Sequence, residues 1–272
     1  MNHSIRFSVL AFLLLIVASL SFAQASREVK KSVSLAVDGT LSLDTYKGSI
    51  TITTWDKNEV EIVAVIEADD EMWSRRDEEE QVEDTEIKIE ESGNEVRIKT
   101  DYDKLKRRKS DFWGIFEGDV GALPFVHYTI KMPATADLRV KDYKSESNIT
   151  DVKGDITFDT YKGEVNMTGV EGAMDFETYK GDVRIAFTTF RSSNRFETYK
   201  GEIEIVLPRS TAFELDADVG KKGDFRSDFS LPDRFRSRYD RHDSGRYRGD
   251  VNGGGPRLTL ETYKGTYRLR EG

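Results

Sequence analysis

The chain has no cysteine, five prolines and three histidines among its 272 residues. Without thiols there can be no disulfide framework, no thiolate-bound zinc and no lipid-modified cysteine behind a leader. Past the first few residues only His127 and His242 remain, too few to hold a catalytic zinc. The longest apolar run covers 9–18, well short of the roughly 20 residues a membrane-spanning helix needs. Also missing are a G-x-S-x-G elbow, a P-loop and a Rossmann glycine pattern after a strand. A net charge of −9 argues against nucleic acid as the main partner. The expectation is a protein with no catalytic residues, no metal and no cofactor, and not an enzyme.

What is present begins with a leader. Arg6, the short apolar run, and small residues at Ser19, Ser21, Ala23 and Ala25 have the form of a secretory signal peptide over 1–25. Cleavage after Ala23 or Ala25 would leave a single exported domain, 26–272, in the periplasm or at the cell surface. An uncleaved anchor is the competing reading.

The strongest signal is internal repetition. The tetrapeptide T-Y-K-G stands at 45–48, 160–163, 178–181, 198–201 and 262–265, with a degenerate D-Y-K-S at 142–145. From Tyr143 to Tyr161 and from Tyr161 to Tyr179 is 18 residues each, and from Tyr179 to Tyr199 is 20. Weaker glycine turns lie midway, at 152–154 and 170–172. Between turns the residues alternate, with Ile156, Phe158 and Thr160 on one face and Thr157, Asp159 and Tyr161 on the other. Period-2 runs bounded by glycine mark half-buried strands. A coil this short cannot bury its apolar face alone and must stack on its copies. The expected fold is therefore all-β, a solenoid with coils of 18–20 residues and one charged insertion. An antiparallel meander with the same turns is the alternative.

Stacking would place Thr45, Thr160, Thr178, Thr198 and Thr262 in an inward column. Tyr46, Tyr143, Tyr161, Tyr179, Tyr199 and Tyr263 would form an outward one, beside Lys47, Lys144, Lys162, Lys180, Lys200 and Lys264. Acids two residues before the exact-motif tyrosines (Asp44, Asp159, Glu177, Glu197, Glu261) would offset the row of like charges. The motif glycines are expected to supply positive φ and room for the next coil. The Tyr/Lys stripe is the candidate binding surface, since aromatic faces stack on sugars and a lysine row suits an anionic glycan. Tyrosine and threonine are also simply good strand residues that stack well.

Three blocks together resemble a known bacterial family. They are the entry strand over 126–133, the glycine turns from Gly154 to Ile203, and the closing G-G-G-P-R-L-T-L-E-T over 253–262. The chain resembles the exported β-strand-repeat proteins catalogued as "putative adhesin", a domain of unknown function. That resemblance implies a right-handed, single-stranded β-helix-like fold, with no established reaction and no catalytic residues to transfer. Tyr-Lys before the turn glycine departs from the family, where small residues are more usual.

Two stretches fall outside the repeat. An insertion over 68–124 reads as a helix over 72–83, strands over 86–89 and 96–100, and a basic and aromatic loop over 104–116. That loop fits either a peripheral membrane contact or a cap on an open solenoid end, and the cap is the favoured reading. The stretch 231–255, with arginines and aspartates interleaved, reads as a charged surface loop. The function expected is a structural or adhesin-like module of the cell envelope, whose partner is an anionic glycan or an envelope protein. A polysaccharide-acting enzyme and an envelope sensor component are the alternatives.

Overall fold

The structure, a computed structural model, describes residues 25–69, 75–105, 123–231 and 245–272. The expected leader lies outside these residues except for Ala25. So do the basic and aromatic loop past Leu105 and residues 232–244 of the charged stretch.

The chain enters on β1 (Ser26–Ser34), β2 (Thr40–Asp44), β3 (Lys47–Trp55) and β4 (Glu59–Glu67). Then come α1 (Arg75–Asp84), the hairpin β5 (Glu86–Ser92) and β6 (Glu95–Asp101), and β7 (Phe125–Pro133). The repeat supplies β8 (Asp137–Asp142), β9 (Lys144–Thr150), β10 (Ile156–Thr160), β11 (Glu164–Val170), β12 (Met174–Phe187) and β13 (Asn194–Leu207). Last are β14 (Phe213–Asp218), β15 (Asp224–Ser227), β16 (Arg246–Val251), β17 (Arg257–Thr262) and β18 (Thr266–Glu271).

Because every coil carries the same period-2 parity on either side of its corner, the coils stack rung on rung. One face of the stack runs β5–β6–β2–β8–β10–β12–β13–β17–β14–β16. The other runs β1–β4–β7–β3–β9–β11–β12–β13–β18–β15. β12 and β13 pass through the corner and belong to both faces. The apolar side chains of both make one core, in which Phe158, Phe176, Phe196 and Leu260 are register partners on successive rungs. The Phe158 and Phe176 rings stack at 5.4 Å. Parallel pairing throughout the centre rules out the meander. Antiparallel pairs are confined to the ends, at β1–β4, β4–β7, β5–β6 and β14–β16.

Stack order departs from chain order at both ends. The rung β2–β3 lies between β6–β7 and β8–β9. The rung β17–β18 lies between β13 and β14–β15. Two expectations are corrected here. β6, read as part of an insertion, is a rung of the solenoid: Val96 and Ile98 sit beside Leu41 and Leu43 and extend their columns inward. Part of the charged stretch is the strand β16, with Val251 buried opposite Phe213. Its Arg246 and Arg248 each lie 2.7 Å from Asp218 and Asp216 of the neighbouring strand.

The motif glycines are needed first for close approach. A Cβ on Gly181 would lie 2.1 Å from the Gly163 carbonyl oxygen, and one on Gly201 the same distance from that of Gly181. Positive φ, expected at each motif glycine, occurs only at Gly48 (134°) and Gly201 (137°) among them. At the other corners the strand bends without leaving the conformations open to any residue.

Candidate binding site

The tyrosines form one stack along the outside of the solenoid. Tyr46 and Tyr143 lie 4.5 Å apart between ring centres, Tyr143 and Tyr161 4.9 Å, and Tyr161 and Tyr179 4.7 Å. Tyr179 and Tyr199 follow at 4.9 Å, and Tyr199 and Tyr263 at 5.2 Å, with no pair tilted by more than 13°. The ladder holds this register through the corner: the Lys144, Lys162, Lys180 and Lys264 amides donate to the Tyr46, Tyr143, Tyr161 and Tyr199 carbonyls. Five of the rings are 37–51% exposed, and Tyr143 is half-buried. Burial and the Tyr143 hydroxyl beside it push the Tyr46 phenol up.

Interior rings have a neighbour on each face. What they offer to solvent is edges and hydroxyls, so a sugar cannot lie on their faces. Tyr102 closes one end of the stack edge-on, 6.3 Å from Tyr46. Lys222 lies over the other end, 5.3 Å from the Tyr263 ring centre.

Beneath the tyrosines the threonine column faces inward as expected. Thr45, Thr160, Thr178 and Thr198 are buried, and Thr262 is half-buried. Asp142 takes the threonine's place in the degenerate repeat. Its carboxylate accepts from the Ser145 amide (2.8 Å), the Ser145 hydroxyl (2.6 Å) and the Thr160 hydroxyl (3.0 Å). Burial still raises its carboxyl above the usual range.

The lysines of the stripe divide into two kinds. Lys47 pairs with the buried Asp69 and lies 4.1 Å from the Phe125 ring centre. Lys144, Lys162, Lys180, Lys200 and Lys264 are exposed, and none has a described carboxylate within 4.0 Å. The acids flank the stripe without pairing to it. Asp159, Glu177, Glu197 and Glu261 are register partners on one side, and Lys141 separates them from Asp44 in the same column. Arg195 pairs with Glu197 and reaches Glu261 at 3.6 Å. Burial, together with the Glu197 and Asp159 carboxylates, raises Glu177 above its ordinary value.

These acids floor a trough of about 950 Å³ that has the tyrosine stack along its side and Arg246 and Arg248 at its end. Sequence reasoning missed a second acidic column beyond the corner, Glu146, Glu164, Asp182 and Glu202. Its signal was readable, since each member stands two residues after a motif lysine. Across the surface the columns therefore run acid, tyrosine, lysine, acid.

One constellation elsewhere has the outline of a nucleophile with its base. The Ser49 hydroxyl lies 2.9 Å from His127 Nδ1, and His127 Nε2 lies 3.5 Å from Glu67. The three stand on β3, β7 and β4, adjacent strands near one end of the stack. Among the described residues, backbone N–H groups there are spent on the ladder, leaving none to stabilise an oxyanion. Ser49 lies within β3, one residue past the corner glycine Gly48, and pairs with His127 across the ladder. The line is a polar cross-strand contact. Among the described residues, no group of three or more His, Asp and Glu side chains is placed to hold a metal ion, and no helix is long and apolar enough to cross a membrane.

Comparison with known proteins bears out the family resemblance. Residues 129–252 match the family described as Toastrack DUF4097, a domain of unknown function. No curated protein matches the chain. Among solved structures, a "putative cell adhesion protein" from Clostridium sporogenes is 14% identical with a TM-score of 0.52. That match covers 91% of this chain and all of the other, and shows a shared fold. A "putative adhesin" from Parabacteroides distasonis is 12% identical over 89% of this chain and 97% of its own, with a TM-score of 0.23.

Proposed function

We propose that this protein is an exported, non-enzymatic, adhesin-like module of the cell envelope that contacts its partner through the Tyr/Lys stripe. Its coils of 18–20 residues wind right-handedly, the sense that parallel crossovers favour. One observation carries the reading. The backbone register holds the tyrosines in a single line, and five exposed lysines with no ion partner among the described residues run beside them. Lysines on rungs about 4.8 Å apart repel one another, and an anionic polymer laid along the stripe relieves that repulsion. Carboxylate or sulfate groups of a glycan would meet the lysines, while its hydroxyls meet the phenol edges. An envelope protein with an acidic segment would use the same lysines.

The test is retention on an immobilised acidic polysaccharide. The triple variant Lys162→Ser/Lys180→Ser/Lys200→Ser is expected to lose retention at least about tenfold while melting stays cooperative. Tyr161→Ser/Tyr179→Ser/Tyr199→Ser should lose less, because edges contribute contact and not charge. Undiminished retention by the lysine variant would remove the stripe as the site. New reducing or unsaturated ends in the polysaccharide would favour the enzyme instead.

A further inference from the structure

The order of the columns across the stripe has a symmetry of its own. Taking the rungs of Tyr161, Tyr179, Tyr199 and Tyr263, the acids Asp159, Glu177, Glu197 and Glu261 lie on one flank of the rings. Lys162, Lys180, Lys200 and Lys264 lie on the other. Neither Asp159 nor Glu177 has a described ion partner within 4.0 Å, and nor do the four lysines. The lysine column is thus open along all four rungs and the acidic column at Asp159 and Glu177, while Arg195 engages Glu197 and Glu261, on either side of an exposed aromatic line. Within one copy the acid precedes its tyrosine by two residues and the lysine follows it, so the rings stand between them.

We propose that the stripe is a self-complementary interface on which a second copy of this chain docks face to face, both copies pointing the same way along the stack. This rests on the stripe being a contact surface and names the partner. A two-fold axis parallel to the stack sets tyrosine against tyrosine and reverses the order of the flanks. The acid column of each copy then faces the lysine column of the other, rung for rung, on both sides. This is an isologous contact, in which each patch meets its own counterpart.

The other face-to-face arrangement, a two-fold axis across the stack, sets acids against acids and lysines against lysines, and repulsion disfavours it. Tyrosine edges with their hydroxyls supply the amphipathic centre that interfaces favour. The Tyr46 and Tyr143 rungs add little, because Asp69 holds Lys47 and Lys141 occupies the acid's position. Burial first, and then the neighbouring Glu197 and Asp159 carboxylates, raise the Glu177 carboxyl.

The experiment is sedimentation of the purified chain across concentration and salt, with two charge-reversal variants. The wild type is expected to be a dimer that weakens as salt screens the columns. Lys162→Glu/Lys180→Glu/Lys200→Glu and Asp159→Lys/Glu177→Lys/Glu197→Lys should each raise the dissociation constant about 100-fold or more. Mixed together they should form a heterodimer, since each then offers what the other lacks. Zero-length carbodiimide coupling of wild-type protein, half of it isotope-labelled, adds a readout that needs no variant. Links between copies should join Lys162, Lys180 or Lys200 to Asp159, Glu177 or Glu197 at the same rung or an adjacent one. A wild-type monomer at every salt and concentration, or inter-copy links elsewhere, overturns the inference. Either result leaves glycan retention by the same lysines free to stand or fall separately.

Discussion

The middle of the stack and its two ends are made differently. In the middle, each rung repeats the residue types of the one below, and parallel register turns a sequence repeat into columns of threonine, tyrosine and lysine. At the ends the columns are deliberately broken. Asp69 and the Phe125 ring hold Lys47, and Tyr102 turns its edge to the last tyrosine. At the far end Asp218 pairs with Glu261, so Gly220 stands level with Tyr263 and the ring column stops there. Antiparallel strands then close the ladder, β1 and β5 at one end and β16 at the other. A solenoid whose terminal rungs copied its middle would go on recruiting strands. Repetition builds the surface, and its interruption keeps the stack finite.

The largest expected effect separates the two regions by glycine. Gly181 has the Gly163 carbonyl oxygen 2.1 Å from where its Cβ would lie, whereas Gly93, in the β5–β6 turn, has nothing within 4 Å. Gly181→Ala must push two rungs apart and should cost about 3 kcal/mol. Gly93→Ala carries only the cost of its positive φ of 61°, about 1 kcal/mol. Urea unfolding of both variants measures the difference. Equal costs would mean that the rungs can separate freely, and that close approach does not hold the motif glycines in place.

This contrast also marks what could be read from the sequence. Contacts such as Tyr46 with Tyr143 and Tyr199 with Tyr263 were legible although 64 residues separate the latter pair, because a shared motif labels the rungs that meet. The inward threonines and outward tyrosines followed from strand parity alone. The places of β6 and β16 were not legible, since nothing in their sequences repeats the motif. Their partners are chosen by burial of Val96, Ile98 and Val251 and by the Arg246 and Arg248 pairs. The coverage of ring faces was hidden for a different reason. Parity says that a tyrosine points outward, but only the tightness of the stack says that its faces are already occupied.

An intermediate effect tests whether the tyrosines act as a stack. Tyr179 has rings on both faces, whereas Tyr263 has Tyr199 on one face and Lys222 near the other. Each stacked pair contributes about 1 kcal/mol, so Tyr179→Ser should cost about 2 kcal/mol and Tyr263→Ser about 1 kcal/mol. Unfolding in urea ranks them. If the end position cost as much as the middle, the loss would come from strand propensity at each site and not from ring on ring.

The smallest effect concerns one rung of the middle that breaks the pattern from within. Asp142 stands where the next rung has Thr160 and the one beyond it Thr178, and burial raises its carboxyl although hydrogen-bond donors from Ser145, Thr160 and the Tyr143 backbone favour the anion. A raised native value means that the folded chain binds the proton more tightly than the unfolded one. The stability this contributes is fully present below the unfolded aspartate value of about 3.9, and is lost as pH rises through the higher native value. Asp142→Asn has no such proton to lose. The variant's stability relative to wild type should therefore improve as pH climbs out of the acid range and level off once Asp142 is ionised in both states. Thermal melts of the two proteins in matched buffers from acid to neutral pH would follow it. If the variant instead lost ground with rising pH, the donors would outweigh burial, and Asp142 would be held as an anion that ties the Tyr143 rung to the rung above.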